Sequence, residues 1–351
     1  MRIGIPAEIK AKEGRVSLTP EDCQCLKLAG HDVFIQSNAG IASGYNDQLY
    51  IDAGVKILPD AQSVYSQSKL IVKVKEPIED DLQYLTSDHL LFSFLHLAAE
   101  PDLVLRLQKI GLTAIAFETV ETDDGQLPLL APMSAIAGRI AGQVGTHLLH
   151  TPLGGKGILL GGLKNTEKGN VVVLGAGVAG SHAIDVVACL GANVTVIDLD
   201  EPKLMALANK YPNVTGLLSN HKTIHDVVSQ ADLVIGAVLV AGAKTPVLVS
   251  DDLVQKMESK SVIIDIAVDQ GGCIETIKPT NYASPTYLTH DVLHFGVTNM
   301  PGAVPRTATQ ALSSNLWPYV LKIANDELNS YEPLKRGINL HKGEIILPAL
   351  I

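Results

Sequence analysis

Short apolar runs alternate along this chain with longer segments of mixed polarity. In the first 120 residues the runs are RIGIP, DVFIQ, LIVKV, LLFSFL and LTAIAF, each short enough for a buried strand. The segments between them carry helix signals. In TPEDCQCLKLAG, for example, Thr19 can cap a helix that has Pro20 at its first position. This alternation predicts an α/β unit built on a mainly parallel sheet.

A second series of the same kind begins near residue 170. The run at 171–174 predicts a strand, the apolar stretch from Val178 to Leu190 predicts a helix, and a β-branched run then ends at Asp198. Further runs follow in ADLVIGAVLV, SVIIDIAV and VLHFGV. Between the first strand and its helix stand three glycines with G-x-G-x-x-G spacing, Gly175, Gly177 and Gly180. The second series therefore predicts a doubly wound, Rossmann-type unit.

The three glycines have separate mechanical roles in dinucleotide binding. Gly175 suits the tight turn, Gly177 allows a pyrophosphate to approach the backbone, and Gly180 allows the helix and strand to pack closely. The N–H groups at the start of the helix would hold the phosphates. Asp198 lies near the spacing of the acid that binds the ribose hydroxyls, and it would repel a 2′-phosphate. The pattern predicts an NAD site and favours NAD over NADP.

The two units imply a domain organisation with an insertion. Helix-length apolar segments at 131–150 and 307–328 flank the second unit and could connect it to the first. We expect a substrate domain formed by residues 1–127 and 306–351, and an NAD-binding Rossmann domain formed by residues 128–305.

Composition narrows the class of protein. The 351 residues include 37 acidic and 27 basic side chains, a net charge of −10, and no dense lysine or arginine run. This balance argues against nucleic acid or an anionic membrane surface as a partner. The sequence shows no signal-peptide h-region and no apolar stretch of membrane-spanning length, and its four cysteines suggest neither a disulfide framework nor a zinc site. We expect a cytoplasmic protein that acts on small molecules and has no metal site.

Polar side chains stand just beyond several predicted strands. In open parallel sheets, ligands bind outside the carboxyl ends of the strands. We therefore expect the two domains to direct charged groups into one cleft. These strand-end residues are Arg15, Lys75, His96 and Glu118 in the first unit, and Asp198, Asp269 and Asn299 in the second.

These groups suit oxidation beside an amine or a hydroxyl. Arg15 can bind a carboxylate in a bidentate manner, and Lys75 can bond the same carboxylate or a developing carbonyl oxygen. His96 offers an imidazole, the side chain that most often serves as a general acid or base, and Asp269 could balance charge or move a proton. Taken singly, each cation could instead be a solvated loop charge, and His96 could be a structural residue. Their coincidence beside a nucleotide fold favours the functional interpretation.

A set of motifs stands in a characteristic order over nearly the whole chain. The motifs are MRIGIPAEIK with GRVSLTP, VKVKEP, FSFLHLA, FETV, PMSAIAGRIA, LGAGVAG, VDQGG and NMPGAVPRTAT. Together they resemble the alanine dehydrogenase family, which includes the related transhydrogenase domains. The resemblance implies NAD-dependent oxidative deamination of L-alanine to pyruvate and ammonia, and the reverse amination.

The resemblance also implies roles for individual residues. Arg15 and Lys75 match the pair that binds the carboxylate, and His96 and Asp269 match the catalytic groups that handle protons, with Lys75 beside them. Family members are commonly homohexamers. The implied cofactor contacts are Ser134, Gly175, Ala176, Gly177, Val178, Gly180, Asp198, Lys203, Asn299 and Met300.

Two other functions remain open from the sequence. The soluble NAD-binding component of a proton-translocating transhydrogenase shares the two-domain build, but it would not need Arg15, Lys75 and His96 together. A non-catalytic NAD-binding protein would keep Asp198 but would have no use for His96 and Asp269.

Overall fold

A computed structural model describes residues 1–238 and 245–350 of the chain. These residues form two compact units. Unit 1 comprises residues 1–133 and 301–350, and unit 2 comprises the described residues of 134–300. The end of the apolar run ADLVIGAVLV, at residues 239 and 240, lies outside the described residues.

The described strands are numbered in chain order. They are β1 (Arg2–Ile5), β2 (Asp32–Gln36), β3 (Lys56–Leu58), β4 (Leu70–Val72), β5 (Leu90–Ser93), β6 (Thr113–Ala116), β7 (Asn170–Leu174), β8 (Asn193–Asp198), β9 (Val214–Leu218), β10 (Leu233–Gly236), β11 (Val262–Asp265), β12 (Thr286–Thr289), β13 (Val292–Phe295), β14 (Ile338–His341) and β15 (Glu344–Ile345).

The described α-helices are numbered in the same way. They are α1 (Pro20–Leu28), α2 (Asp47–Asp52), α3 (Ala61–Gln67), α4 (Glu79–Leu82), α5 (Pro101–Ile110), α6 (Ala131–Leu148), α7 (Val178–Cys189), α8 (Glu201–Lys210), α9 (His221–Val228), α10 (Asp251–Val254), α11 (Pro305–Ala324) and α12 (Glu332–Arg336).

The sheet of unit 1 has eight strands in the order β15-β14-β6-β5-β4-β1-β2-β3. Strands β1 to β6 pair in parallel, whereas β14 pairs antiparallel with both β6 and β15. Strands β4 and β6 are buried along their whole length, as expected of strands in a parallel sheet that is covered on both faces. The strand order reverses between β1 and β4, which is where ligands bind in folds of this type.

The sheet of unit 2 has seven strands in the order β12-β13-β11-β10-β7-β8-β9. All neighbouring pairs are parallel except β12 with β13. The corresponding point of reversal lies between β7 and β10, directly beside the glycine-rich turn. The predicted α/β class with two doubly wound, mainly parallel sheets is confirmed.

Local signals in the sequence explain several helix ends. Thr19 caps α1, with its side chain accepting a hydrogen bond from the backbone of Asp22, and Pro20 takes the first helical position. Both features were predicted. The long helix α6 lies within the segment 131–150 that was predicted to be helical, and α11 begins two residues before the predicted segment 307–328 and ends within it.

Candidate functional site

The three fingerprint glycines of unit 2 each occupy a position that a side chain would disturb or fill. Gly175 has a φ of 101°, and a Cβ there would lie 2.6 Å from the carbonyl oxygen of Ala237. A Cβ at Gly180 would lie 1.8 Å from the carbonyl oxygen of Gly175, so helix α7 can approach its strand only with glycine there. A Cβ at Gly177, by contrast, would meet no described atom within 4 Å. Gly177 therefore borders open space, which suits the close approach of a ligand.

Helix α7 begins at Val178, immediately after that open space. Its N-cap is Gly177, which provides no side-chain cap, and Val178 is 40% exposed. The first N–H groups of a helix have no partner within the helix, and the helix dipole favours an anion beside them. Gly177, Val178 and the buried Ala176 thus form a backbone cradle of the kind that holds a pyrophosphate.

Asp198 ends β8 and is fixed against the same turn. One carboxylate oxygen accepts a hydrogen bond from the backbone of Ala176 at 2.5 Å, and the other accepts one from the backbone of Asp200 at 2.9 Å. A carboxylate oxygen can accept more than one hydrogen bond, so both remain suited to ribose hydroxyls. The residues present fit a dinucleotide with free ribose hydroxyls.

The other predicted cofactor residues differ in their surroundings. Ser134 is half-buried on α6, and Asn299 has a left-handed backbone with a φ of 60°. Met300 is buried, and its carbonyl oxygen accepts a hydrogen bond from the hydroxyl of Tyr282. Lys203 lies in the first turn of α8, and its ammonium lies 3.1 Å from a carboxylate oxygen of the N-cap residue Asp200. The cofactor roles of these four residues stay predictions.

Arg15, which follows β1 in unit 1, is buried and held by an acid two residues earlier. Its Nε and Nη2 atoms donate to the two carboxylate oxygens of Glu13 at 2.7 and 2.5 Å, and Nη1 lies 3.2 Å from the sulfur of Met133. Glu13 was not predicted, and it fixes the plane of the guanidinium. The role of Arg15 in binding a carboxylate stays a prediction.

Lys75 stands three residues beyond β4, and its side chain is 12% exposed. Its ammonium lies 3.9 Å from a carboxylate oxygen of Glu76. Burial alone would raise the pKa of Glu76, but the charge of Lys75 and the hydrogen bond from Lys10 outweigh burial and lower it. The backbone amides of Val74 and Lys75 are both directed at the carboxylate of Glu8, at 2.6 and 3.3 Å.

Lys73 is fully buried beneath this segment, in contrast to Lys75. Its ammonium lies 3.4 Å from Glu8 and 3.1 Å from Asp81, and the hydroxyl of Tyr65 donates to Asp81 at 2.9 Å. Burial alone would lower the pKa of Lys73, but the two carboxylates outweigh burial and raise it. Burial raises the pKa of Glu8, although Lys73 opposes this effect. Lys73 therefore stays an ammonium ion, which balances two buried carboxylates.

His96 lies three residues beyond β5 in a left-handed backbone conformation, with φ of 50° and ψ of 36°. Its ring stacks on that of Phe94, with centroids 5.8 Å apart and planes 3° apart. The carboxylate of Glu118 accepts hydrogen bonds from the backbone amides of Leu95 and His96, the second at 2.6 Å. Glu118 lies beyond the neighbouring strand β6, so it holds the segment that carries the imidazole.

Asp269 is exposed on a short 3₁₀ helix that follows β11. This segment is held by Asp265, the last residue of the strand. The carboxylate of Asp265 accepts hydrogen bonds from the backbone amides of Ala267 at 2.9 Å and Cys273 at 2.7 Å. Burial raises the pKa of Asp265 to about 6 even though these hydrogen bonds oppose the effect.

Within unit 1, the structure brings the predicted segments together at one edge of the sheet. They follow the neighbouring strands β1, β4 and β5, and the amide of Phe94 donates to the carbonyl oxygen of Val74 at 3.1 Å. Ser17, two residues after Arg15, likewise donates to the carbonyl oxygen of Val72. The predicted placement of His96 and Asp269 in one cleft stays a prediction.

Sequence reasoning missed the acids that hold these segments, namely Glu8, Glu13 and Asp265, and also Lys73. One signal was available for Lys73, because a lysine inside the apolar run LIVKV would be buried and would need acidic partners. Nothing comparable identified which acids those would be.

Within residues 1–238 and 245–350, no group of three or more histidine, cysteine or acidic side chains is arranged to hold a metal ion. In the same part of the chain, no helix has the length and apolar character needed to cross a membrane.

Family models and known proteins match this chain along its length. The family model described as alanine dehydrogenase/PNT, N-terminal domain, matches residues 4–137, and the model of the C-terminal domain matches residues 141–348. The alanine dehydrogenase of Bacillus subtilis (strain 168) is 44% identical over 100% of this chain and 94% of its own length. The alanine dehydrogenase of Methanococcus maripaludis is 43% identical over 100% and 95%.

A solved structure of an L-alanine dehydrogenase is similar in both sequence and fold. It has 46% identity, covers 100% of this chain and 98% of its own, and superposes with a TM-score of 0.95. The glycine-rich turn, the strand-end residues and the matches over both units lead to one conclusion: the chain belongs to the alanine dehydrogenase/PNT family and is an oxidoreductase of the alanine dehydrogenase type.

Proposed function

We propose that this protein catalyses the reversible, NAD-dependent oxidative deamination of L-alanine to pyruvate and ammonia. One observation carries the proposal beyond family membership. Arg15, Lys75 and His96 follow three neighbouring parallel strands at the edge of the unit 1 sheet where ligands bind. Two cations and an imidazole at one sheet edge suit a small substrate that has a carboxylate and reacts by proton transfer.

The substrate carboxylate would be bound by Arg15 and Lys75. Glu13 holds the guanidinium of Arg15 in one plane, and the shape of a guanidinium matches a carboxylate. Lys75 adds a point charge from a side chain that is only 12% exposed, so its attraction is less screened than on an open surface. The two charges would fix the position of the reacting carbon.

Bound NAD⁺ would supply the acceptor for the hydride from the Cα of alanine whose amino group is neutral, leaving a protonated imine on the substrate. A water molecule must then add to the imine carbon, and one group has to take a proton from that water. His96 suits this step because an imidazole titrates near neutral pH. Asp269 would either stabilise the charged imidazole or pass the proton on. Collapse of the adduct then releases ammonia and pyruvate.

Unit 2 would hold the cofactor through Gly175, Ala176, Gly177, Val178 and Gly180, with Asp198 at the ribose. Its carboxylate is anchored beside the turn by Ala176. We expect catalytic efficiency with NAD to exceed that with NADP strongly, and we expect Asp198→Ala to weaken this preference. Equal kcat/KM values for the two cofactors in the unmodified protein would contradict the assignment.

The activity is tested by following NADH formation at alkaline pH with a panel of small L-amino acids, and NADH loss with pyruvate and ammonium. We expect alanine and pyruvate to be the preferred substrates. A protein that binds NADH but turns over no amino acid would instead be a non-catalytic NAD-binding protein.

The residue roles are tested by two groups of variants. We expect Arg15→Ala and Lys75→Ala to raise KM for alanine and pyruvate by about ten- to a hundredfold, the scale of a hydrogen bond to a charged group. We expect His96→Ala and Asp269→Asn to lower kcat by at least about a hundredfold. NADH affinity, measured by fluorescence titration, should change little in all four variants. His341→Ala, at the end of β14, and Asp226→Asn, on α9, are matched controls that should keep normal turnover.

A further inference from the structure

The segment that carries Lys75 has no regular secondary structure to hold it. Strand β4 ends at Val72, and α4 begins only at Glu79. The segment lies where the strand order reverses between β1 and β4. A lysine side chain has many rotamers, so the direction of its ammonium depends on how firmly its backbone is held.

Glu8 provides that hold from the far side of the reversal point. It lies three residues beyond β1, and each of its carboxylate oxygens faces one of two successive amides. Oε1 accepts from Val74 at 2.6 Å and Oε2 accepts from Lys75 at 3.3 Å. A single carboxylate thus fixes two successive peptide groups, including the amide of Lys75 itself.

The carboxylate of Glu8 is buried, and it is balanced by Lys73. The side chains of Glu8 and Lys73 are 3% and 1% exposed, and Oε2 of Glu8 lies 3.4 Å from the ammonium. A buried carboxylate requires charge and hydrogen-bond compensation. Lys73 supplies the charge and the Val74 and Lys75 amides supply the hydrogen bonds, so the acid is compensated only while it is directed at this segment.

We propose that Glu8 is a positioning residue, whose carboxylate directs the Lys75 ammonium toward the substrate by holding the Val74 and Lys75 amides, with Lys73 keeping the carboxylate in place. The inference rests on the proposed function, in which Lys75 binds the substrate carboxylate. Glu8 itself is not assigned any contact with the substrate.

Two variants separate the backbone contact from the charge. Glu8→Asp keeps the negative charge beside Lys73 but shortens the side chain by one methylene, which withdraws it from the two amides. Glu8→Gln keeps the length, but its NH₂ group would face another donor in either orientation, the Val74 amide in one and the Lys75 amide with the Lys73 ammonium in the other. We expect both variants to raise KM for pyruvate by roughly tenfold, the lower end of the effect of a hydrogen bond to a charged group. NADH affinity should stay unchanged.

A double-variant cycle with Lys75→Ala gives the readout that a merely structural role would not produce. Because Glu8 acts through Lys75, we expect Glu8→Asp to change KM for pyruvate by less than about twofold once Lys75 is alanine. Asp60→Asn is the matched control. Asp60 also accepts a backbone hydrogen bond, from Ser63 at the start of α3, but it lies outside the site. We expect this variant to have normal KM.

Amide hydrogen exchange, followed by mass spectrometry, measures the contact independently of activity. Exchange in the peptide covering residues 73–76 should accelerate in both Glu8 variants of the full chain and not in Asp60→Asn. Normal pyruvate KM in both Glu8 variants, equal effects of Glu8→Asp with and without Lys75, or unchanged exchange would each overturn the inference. An unmodified protein without activity on alanine, or a Lys75→Ala variant with normal KM, would instead overturn the proposed function.

Discussion

The segments that carry Lys75 in unit 1 and Asp269 in unit 2 are held by the same device in different electrostatic surroundings. Each follows a buried parallel strand, and in each a buried carboxylate accepts hydrogen bonds from two backbone amides. Glu8 has the ammonium of Lys73 beside it. Asp265 forms no ion pair with any lysine or arginine among the residues that the structure describes.

This difference determines how each segment responds to pH. Burial raises the pKa of both carboxyls, but the charge of Lys73 opposes the effect at Glu8. At Asp265 only hydrogen bonds oppose it, and the pKa reaches about 6. A protonated Asp265 has one fewer acceptor oxygen for the amides of Ala267 and Cys273. The hydrogen bonds that hold the Asp269 segment therefore depend on pH in the mildly acidic range. Those that hold the Lys75 segment depend instead on the ion pair between Glu8 and Lys73.

Removing Lys73 should have the largest effect on stability. In Lys73→Met, Glu8 and Asp81 would remain buried without their ammonium partner, and breaking a buried pair typically costs about 3–5 kcal/mol. Urea unfolding followed by the fluorescence of Trp317 measures this loss, since the only tryptophan lies on α11 in unit 1. Lys10→Met is the control, because Lys10 pairs with Glu76 from a side chain that is 44% exposed. If the unfolding free energy of Lys73→Met fell by less than about 1 kcal/mol, no more than that of the control, Glu8 and Asp81 would not depend on the charge of Lys73.

Asp265 should make the stability of unit 2 depend on pH. The folded state has the higher pKa, about 6 against an ordinary value of 3.8, so it binds more protons than the unfolded state between these values. The contribution of Asp265 to the unfolding free energy is therefore largest at low pH. It decreases as pH rises from about 4 to 6, and above that range it no longer changes. A difference of about 2 pKa units corresponds to about 3 kcal/mol.

The measurement is a difference between two proteins, because other carboxyls titrate over the same range. Exchange protection of the buried β10 and β11 amides in the unmodified protein, relative to Asp265→Asn, should decrease as pH rises from 4 to 6.5. Exchange rates must first be corrected for their intrinsic pH dependence. A relative protection that is flat across this range would mean that Asp265 has an ordinary pKa.

The His96 segment provides a smaller and local test, because its strain lies in the backbone. Residue 96 has a φ of 50°, a conformation that costs a residue with a Cβ about 1 kcal/mol relative to glycine. We expect His96→Gly to be more stable than His96→Ala by about that amount, since both lack the imidazole. At Leu105, on the exposed face of α5, the order should be reversed. Equal stability of the two variants at position 96 would show that Glu118 does not enforce the left-handed conformation.

The parts of the molecule that the sequence could predict depend on near neighbours along the chain. The turn from β7 to α7 needs glycine at 175 and 180 because backbone atoms a few residues away leave no room for a Cβ, and the spacing records that need. The cap of α1 is equally local, since Thr19 bonds the amide of Asp22. Buried parallel strands are visible as continuous apolar runs.

The parts that could not be predicted depend on distant pairs. Glu8 meets Val74 across 66 positions and Lys75 across 67, and nothing near Glu8 in the sequence distinguishes it from a solvated acid. The three-residue strand β3 and the two-residue strand β15 were also missed, because runs this short have no clear period. Register and long-range charge compensation emerge only once the sheets have formed.

Asp198 sets a constraint on redesign of the cofactor preference. An engineer who wishes to recruit a phosphorylated dinucleotide would remove this carboxylate first, yet it also ties the Ala176 amide to the end of β8. Substitution by alanine would therefore loosen the turn that every dinucleotide must use, and a gain in selectivity would be accompanied by weaker affinity. A library at this position should favour asparagine or serine, which keep an oxygen for the Ala176 amide and carry no negative charge. The useful cations would then be introduced from neighbouring positions on α8.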